Sequence, residues 1–170
     1  MNPLRLLKDL VLAFHGGDDP RHWAAGFALG AALGLVPKGN LFAVVFLLVF
    51  FSLRLNKGAA LLSAMAFTPL GYLVDGLAHS IGLALLKADA LRGLWTALYD
   101  MPIVPLTRFN NTVVLGNLVL GLLLYVPLYF AGLKFIAWYR ANLAAKVEKL
   151  KLVQALKGMG WYGSYKEWLG

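Results

Sequence analysis

Lys38 is the charged residue of this sequence with the clearest potential for binding chemistry. It lies in the stretch V-P-K-G-N at 36–40, which separates two apolar runs. A charge at membrane depth is costly, so such a residue usually faces a protein interior or a water-filled cavity. The Lys38 ammonium, the Asn40 side chain and the backbone amides that begin at Gly39 would suit an anion such as a phosphate headgroup. The alternatives are that Lys38 extends to the far interface or pairs with Asp75.

Asp75 and His79 form a second candidate site, because residues four apart share one face of a helix. An intramembrane carboxylate beside a histidine is suited to proton relay or cation binding. The alternative is that this helix end lies among the outer headgroups, where water hydrates both side chains. A tetrahedral zinc site needs three or four ligands, so we predict no metal at this pair.

The sequence carries no recognisable catalytic motif. The zinc-protease, nucleophile-elbow, phosphate-loop and dinucleotide-binding patterns do not occur in it. The chain has no cysteine, which excludes disulfides, thiol nucleophiles and iron–sulfur clusters. We therefore expect no catalytic residue, no cofactor and no enzyme activity.

The composition indicates that the elements positioning these residues are membrane helices. Hydrophobic residues make up 60% of the 170-residue chain and charged residues 14%, with a mean hydropathy of +0.69. Soluble domains have about 45–50% apolar and about 25% charged residues. The net charge of +8 is typical of positive-inside segments beside anionic lipid. We expect the lipid bilayer, including anionic lipid, as a partner, and no nucleic acid.

Two apolar runs, at 23–36 and 41–53, are each too short to cross a bilayer. As helices they would extend about 20 Å, whereas the hydrocarbon core is about 30 Å thick. Arg21 precedes the first run and Arg54 follows the second, which places both outer ends on the cytoplasmic side. The range 21–55 is therefore predicted to be a re-entrant helical hairpin. The alternative is two short spans in a thinned bilayer.

Gly26, Gly30 and Gly34 form a doubled G-x-x-x-G pattern in the first run. Glycines at this spacing give a helix a flat face that another helix can approach closely. We expect the packing partner to be the other arm of the hairpin or the following helix. A subunit interface in a homo-oligomer is the alternative.

The remaining segments complete the predicted organisation. Residues 1–19 are predicted to form an amphipathic interfacial helix, or alternatively a packed helix above the membrane domain. The membrane domain is predicted at 20–133. Besides the hairpin it contains a helix at 59–86 interrupted by Pro69, an outer aromatic segment at 87–111 and a spanning helix at 112–133, in which Asn117 and Pro127 are the disruptive residues. A basic cytoplasmic tail follows at 134–170, which binds anionic lipid or packs on cytoplasmic loops. Asp19 and Pro20 predict the start of the first hairpin helix. Pro69 is expected to kink or break its helix. Both termini would lie in the cytoplasm.

Several motifs follow one another in a fixed order along the first half of the sequence. A basic residue at 21 is followed by A-G-F-A-L-G at 25–30, G-L-V-P-K-G-N at 34–40, L-R-L-N-K at 53–57 and T-P-L at 68–70. This pattern resembles a family of bacterial inner-membrane proteins known as domain of unknown function 2062. The stretch T-R-F-N-N-T-V-V-L-G at 107–116 resembles a narrower subgroup. The family usually has Asn-Pro where this chain has Thr68-Pro69, so no role of that asparagine is transferred. The resemblance implies no catalytic residues, and for the subgroup it implies a periplasm-facing AsmA-like partner protein.

The sequence thus predicts an all-α, multi-pass protein of the bacterial inner membrane. The expected function is a non-catalytic component or partner of a cell-envelope complex that handles lipid. The alternative is a small oligomeric transporter or lipid flippase in which the hairpin tip is the anion or headgroup site.

Overall fold

The computed structural model describes Phe14 and residues 19–149, and all regular elements within them are helical. The α-helices are α1 (Pro20–Leu35), α2 (Leu41–Ser52), α3 (Lys57–Lys87), α4 (Arg92–Tyr99), α5 (Thr112–Asn142) and α6 (Ala144–Glu148), with 3-10 turns at Asp89–Leu91 and Val104–Thr107. The predicted all-helical class is therefore confirmed for this part of the chain. The predicted helix at 1–19, apart from Phe14 and Asp19, and the tail beyond 149 lie outside the described residues.

Polar side chains cap the amino-terminal ends of α1, α3 and α5. Asp19 caps α1 by accepting a hydrogen bond from the Arg21 amide at 2.8 Å, and Pro20 is the first helical residue, as predicted. Asn56 caps α3 through the Ala59 amide at 2.7 Å. Asn111 caps α5 through two amides. Each cap satisfies amides that have no partner inside the helix, so the starts of these three helices follow from capping residues in the sequence.

The glycine face of α1 packs on α3, the following helix. A Cβ atom built on Gly26 would lie 2.5 Å from the Asn56 carbonyl oxygen, and one built on Gly30 would overlap the Ala60 backbone. Gly34 makes the next contact, with the backbone at Ala64. The partners are offset by a constant 30 residues, so α1 and α3 run parallel and in register. The packing partner is therefore the following helix, and not the other arm of the hairpin.

Helix α5 runs antiparallel to both of these helices. Against α1, Gly121 meets Ala32 and Gly132 meets Ala24, at 3.2 and 3.3 Å from the built Cβ to the alanine Cα. Against α3, Gly116 packs on the Ala78 backbone and Gly82 on the Thr112 backbone. Small residues thus line all three contacts, so α1, α3 and α5 form a closely packed three-helix bundle.

Helices α3 and α5 are long and apolar enough to cross a membrane. Each has 31 residues, and the most apolar 18-residue window has a hydropathy of 1.4 in α3 and 2.1 in α5. Only 17% and 28% of these windows are buried inside the protein. A core helix of a soluble protein would be mostly buried, whereas most of each window is exposed here. Both helices are continuous through the prolines at 69 and 127, and the expected break at Pro69 does not occur.

Helices α1 and α2 form the two arms of a hairpin whose ends meet. The Asn56 amide donates to the His22 carbonyl at 3.1 Å, so the exit of the second arm lies beside the entry of the first. Gly71 packs against the backbone at Leu35, near the last turn of α1. Gly71 is about 21 Å from the start of α3, a helix about 46 Å long. The hairpin tip at 36–40 therefore lies near half the height of the bundle.

The glycine contacts predict a sharp difference between two substitutions. Gly30→Ala places a methyl group on the Ala60 backbone, and we expect it to lower the free energy of unfolding by about 1–3 kcal/mol. Gly76→Ala is the matched control, because its Cβ meets nothing within 4 Å and alanine is the better helix former. Unfolding in detergent micelles, followed by circular dichroism, measures both. Equal stability of the two variants would contradict the proposed packing.

Candidate functional site

Lys38 closes the carboxyl end of α1. Its Nζ donates to the carbonyls of Leu33, Gly34 and Val36 at 2.7, 3.0 and 2.9 Å. The last carbonyls of a helix have no partners within it, and they carry the negative end of its dipole. An ammonium has three N–H donors. The three N–H donors of Lys38 therefore satisfy three carbonyl groups at the carboxyl end of α1.

Asn40 and Gly39 shape the turn that joins the two arms. Asn40 Nδ2 donates to the Pro37 carbonyl at 2.6 Å, and its Oδ1 accepts from the Ala43 amide at 3.0 Å to cap α2. The side chain is buried, with 7% exposure. Gly39 has a φ of +86°, in the left-handed region that favours glycine. Both residues are thus needed for the turn itself.

The hydrogen bonds of Lys38 and Asn40 limit the ability of the hairpin tip to bind an anion. An anion bound by Lys38 would have to compete with three backbone carbonyls, and the Asn40 amide group already has a partner. The geometry gives Lys38 a structural role that neither of the two sequence alternatives included. Lys38 Nζ donates to these carbonyls rather than to Asp75, whose Oδ1 accepts from Asn117.

Asp75 and His79 each reach across to α5. Asn117 Nδ2 donates to Asp75 Oδ1 at 2.8 Å, and His79 Nδ1 lies 2.7 Å from Thr112 Oγ1. The two side chains therefore share a face of α3, as their spacing predicts, and they link α3 to α5. A hydrogen bond between helices in an apolar environment contributes about 0.6–2 kcal/mol, so these links add to the small-residue contacts.

The Asp75–Asn117 pair lies just beyond the end of α1. Asp75 is one helical turn past Gly71, which contacts Leu35, and Asn117 is one turn before Gly121, which contacts Ala32. Asn117 is fully buried, and within the described residues its Oδ1 has no hydrogen-bond partner. The pair thus lies at the level where α1 ends, and beyond it only α3 and α5 of the three bundle helices continue.

Sequence reasoning missed the partners on α5. From the sequence alone, Asn117 is only a disruptive residue of the spanning helix, and Thr112 has no assigned role. A usable signal was present, because Thr112 and Asn117 are five residues apart and Asp75 and His79 are four apart. Two polar pairs at similar helical spacing on two antiparallel helices are able to face each other in one register.

Comparison with known proteins identifies a bacterial family. The model of the family described as "Uncharacterized protein conserved in bacteria (DUF2062)" matches residues 4–144. An uncharacterized protein of Treponema pallidum (strain Nichols) is 35% identical over 147 residues, which cover 85% of this chain and 89% of the relative. No solved structure matches the chain. The resemblance seen in the sequence motifs is therefore confirmed.

The cap at the end of α1 predicts that Lys38 stabilises the fold. We expect Lys38→Met to lower the free energy of unfolding by about 1–3 kcal/mol, because it removes the side-chain donor from three carbonyls, two of which are in part-buried hydrogen bonds. Lys134→Met is the control, since Lys134 is exposed on α5. Chemical unfolding in detergent micelles gives both values. If Lys38→Met is as stable as the control, the capping role is wrong.

Proposed function

Because the chain belongs to the uncharacterized bacterial family DUF2062, we propose its function from its own geometry. The protein is a non-catalytic component of the bacterial inner membrane and a partner in a cell-envelope complex that handles lipid. One observation carries this proposal. The polar side chains singled out by the sequence are bonded within the bundle, while the outer faces of the long helices are apolar and exposed.

The exposed faces support a membrane location. Leu73 of α3 is 80% exposed and Leu123 of α5 is 67% exposed. On α2, only Ala43 is buried, although eleven of its twelve residues are apolar. Monomeric soluble proteins rarely expose continuous apolar surfaces of this extent. Lipid chains would cover these faces, and a partner protein would bind to part of them.

The charge distribution supports an orientation with both termini in the cytoplasm. Arg54 and Lys57 lie where the hairpin ends, and Arg140 lies near the end of α5, which reaches the same side of the bundle. Positively charged residues mark the cytoplasmic side. In this orientation α3 and α5 cross the membrane, and the hairpin enters and leaves on the cytoplasmic side. Its tip lies near the bilayer midplane, which makes it re-entrant.

A second candidate function is an oligomeric transporter or lipid flippase. One observation favours it, since α1 ends just below the part-buried Asp75–Asn117 hydrogen bond. Short helices that end at membrane depth are a feature of transporter sites. Lys38 would then exchange its carbonyl partners for an anion or a headgroup during transport. Translocation by proteoliposomes that is lost in Lys38→Gln would favour this function over the first.

The re-entrant topology predicts a labelling pattern for single cysteines in a chain that has none. In intact cells, an impermeant maleimide should label Ala90→Cys, which is exposed at the outer end, but neither Pro37→Cys nor Arg54→Cys. After permeabilisation, Arg54→Cys should react and Pro37→Cys should stay slow. Pro37 is a better probe than Gly39, whose positive φ makes substitution strained. Labelling of Pro37→Cys from outside at the rate of Ala90→Cys would show two true spans.

Purification of the complex tests the function itself. We expect the tagged protein, purified from mild detergent, to recover a periplasm-facing envelope protein of the AsmA-like kind in quantitative mass spectrometry. Gly30→Ala should reduce the recovery, because it disturbs the bundle, and Gly76→Ala should leave it unchanged. If both variants and the wild type recover no envelope protein above background, the proposed role in a complex is wrong.

A further inference from the structure

Two adjoining clefts lie at the outer end of the bundle, and no residue of the polar sites above contributes to them. The first has a volume of about 290 Å³, and Trp95, Tyr99, Asp100 and Phe109 are among its lining residues. The second has a volume of about 200 Å³ and is lined mainly by charged residues. Leu86, in the last turn of α3, lines both clefts. The two clefts are therefore neighbours that meet at Leu86.

The aromatic wall of the first cleft is held rigidly. Trp95 Nε1 donates to the Leu85 carbonyl at 2.9 Å, which ties α4 to the end of α3. The Trp95 ring stacks on Phe109, with 5.8 Å between centroids and 26° between planes. Phe109 is itself buried, with 4% exposure, and its amide donates to Thr107 Oγ1. A fixed aromatic surface of this kind loses little conformational entropy when a ligand binds.

The two clefts carry opposite charges. Asp100 contributes a carboxylate to the aromatic cleft. Lys87 and Arg92 contribute two cations to the second cleft, against the single carboxylate of Asp89. Among residues 19–149, no ion pair or side-chain hydrogen bond engages Asp100, Lys87 or Arg92. All three groups are exposed, so their charges are accessible to a ligand.

We propose that the two clefts together bind the headgroup of a phospholipid that carries a primary ammonium and a phosphate. Aromatic faces beside a carboxylate suit an alkylammonium, so the ammonium lies in the first cleft. A lysine and an arginine suit a phosphate, so the phosphate lies in the second. In phosphoethanolamine a two-carbon link keeps the two groups close together, and the two clefts are neighbours because Leu86 lines both. This inference rests on the proposed lipid-handling function.

The surroundings indicate a lipid rather than a soluble phosphoester as the source of this headgroup. Leu94, Ile103 and Leu106 lie in the same 87–111 segment and are 50%, 62% and 63% exposed. Trp95 and Tyr99 are of the type that lies at the membrane interface. Apolar side chains around the clefts give acyl chains a surface to follow once the headgroup is bound.

Binding of short-chain lipids to the purified full-length protein tests the proposal. Native mass spectrometry would compare phosphatidylethanolamine with phosphatidylglycerol, which has the phosphate but no ammonium. The wild type should prefer phosphatidylethanolamine. Asp100→Asn should weaken phosphatidylethanolamine about tenfold and leave phosphatidylglycerol unchanged. Lys87→Gln and Arg92→Gln should weaken both lipids, and Lys134→Gln, at the other end of the bundle, should weaken neither.

Two results would overturn the proposal. One is equal binding of both lipids by the wild type with no effect of Asp100→Asn. The other is binding of water-soluble glycerophosphoethanolamine as tightly as the lipid, which would make the ligand a free phosphoester. The variants change exposed side chains, and an unchanged melting temperature confirms their fold. If the protein binds the lipid but recovers no envelope partner, only the proposed role in a complex is wrong. If it recovers a partner but binds no lipid, only the proposed headgroup site is wrong.

Discussion

The close approach of α1 to α3 is the contact on which the rest of the structure depends. In a membrane, helices gain nothing by hiding apolar surface from lipid, so association relies on tight packing and on polar links. Gly26, Gly30 and Gly34 let the α1 backbone reach the α3 backbone with a constant offset of 30 residues. That offset requires the chain to leave α1 at Leu35 and to return to the level of Gly26, where α3 begins at Lys57. A single helical hairpin satisfies this requirement, and its tip must then lie at half the height of α3.

A tip at that height explains the residues found there. Where water is scarce, every backbone donor and acceptor has to find a partner inside the protein. Lys38 supplies donors to the carbonyl end of α1, and Asn40 supplies an acceptor to the amide end of α2. A charge and an amide in an apolar stretch therefore do not by themselves indicate a ligand. They are also what two adjacent helix ends require when both are placed inside a membrane.

The sequence predicted those features that depend on one element and missed those that depend on the relation between two. Helix starts at Asp19-Pro20, the apolar lengths and the break at 36–40 are local, and the structure agrees with them. The glycine spacing identifies a packing face but cannot choose between partners, because both neighbouring helices would fit it. The partners of Asp75 and His79 on α5 depend on the register of two antiparallel helices, which small-residue contacts at Gly82 and Gly116 determine. The sequence predicts a kink or a break at Pro69, and of these the break does not occur, since α3 continues through the proline.

The same register divides the bundle into two unequal halves. On the cytoplasmic side in the proposed orientation, α1 fills the space between α3 and α5, and nearly all of its small residues are buried. Beyond Asp75 and Asn117, α1 has ended, and the 87–111 segment lies against α3 instead, tied to it by Trp95. Close backbone contacts hold the helices together in the first half, whereas the second half is built from turns and aromatic side chains with clefts between them. The clefts therefore lie where the packing of α1 has ended, and the α1 arm of the hairpin packs between α3 and α5 in the other half of the bundle.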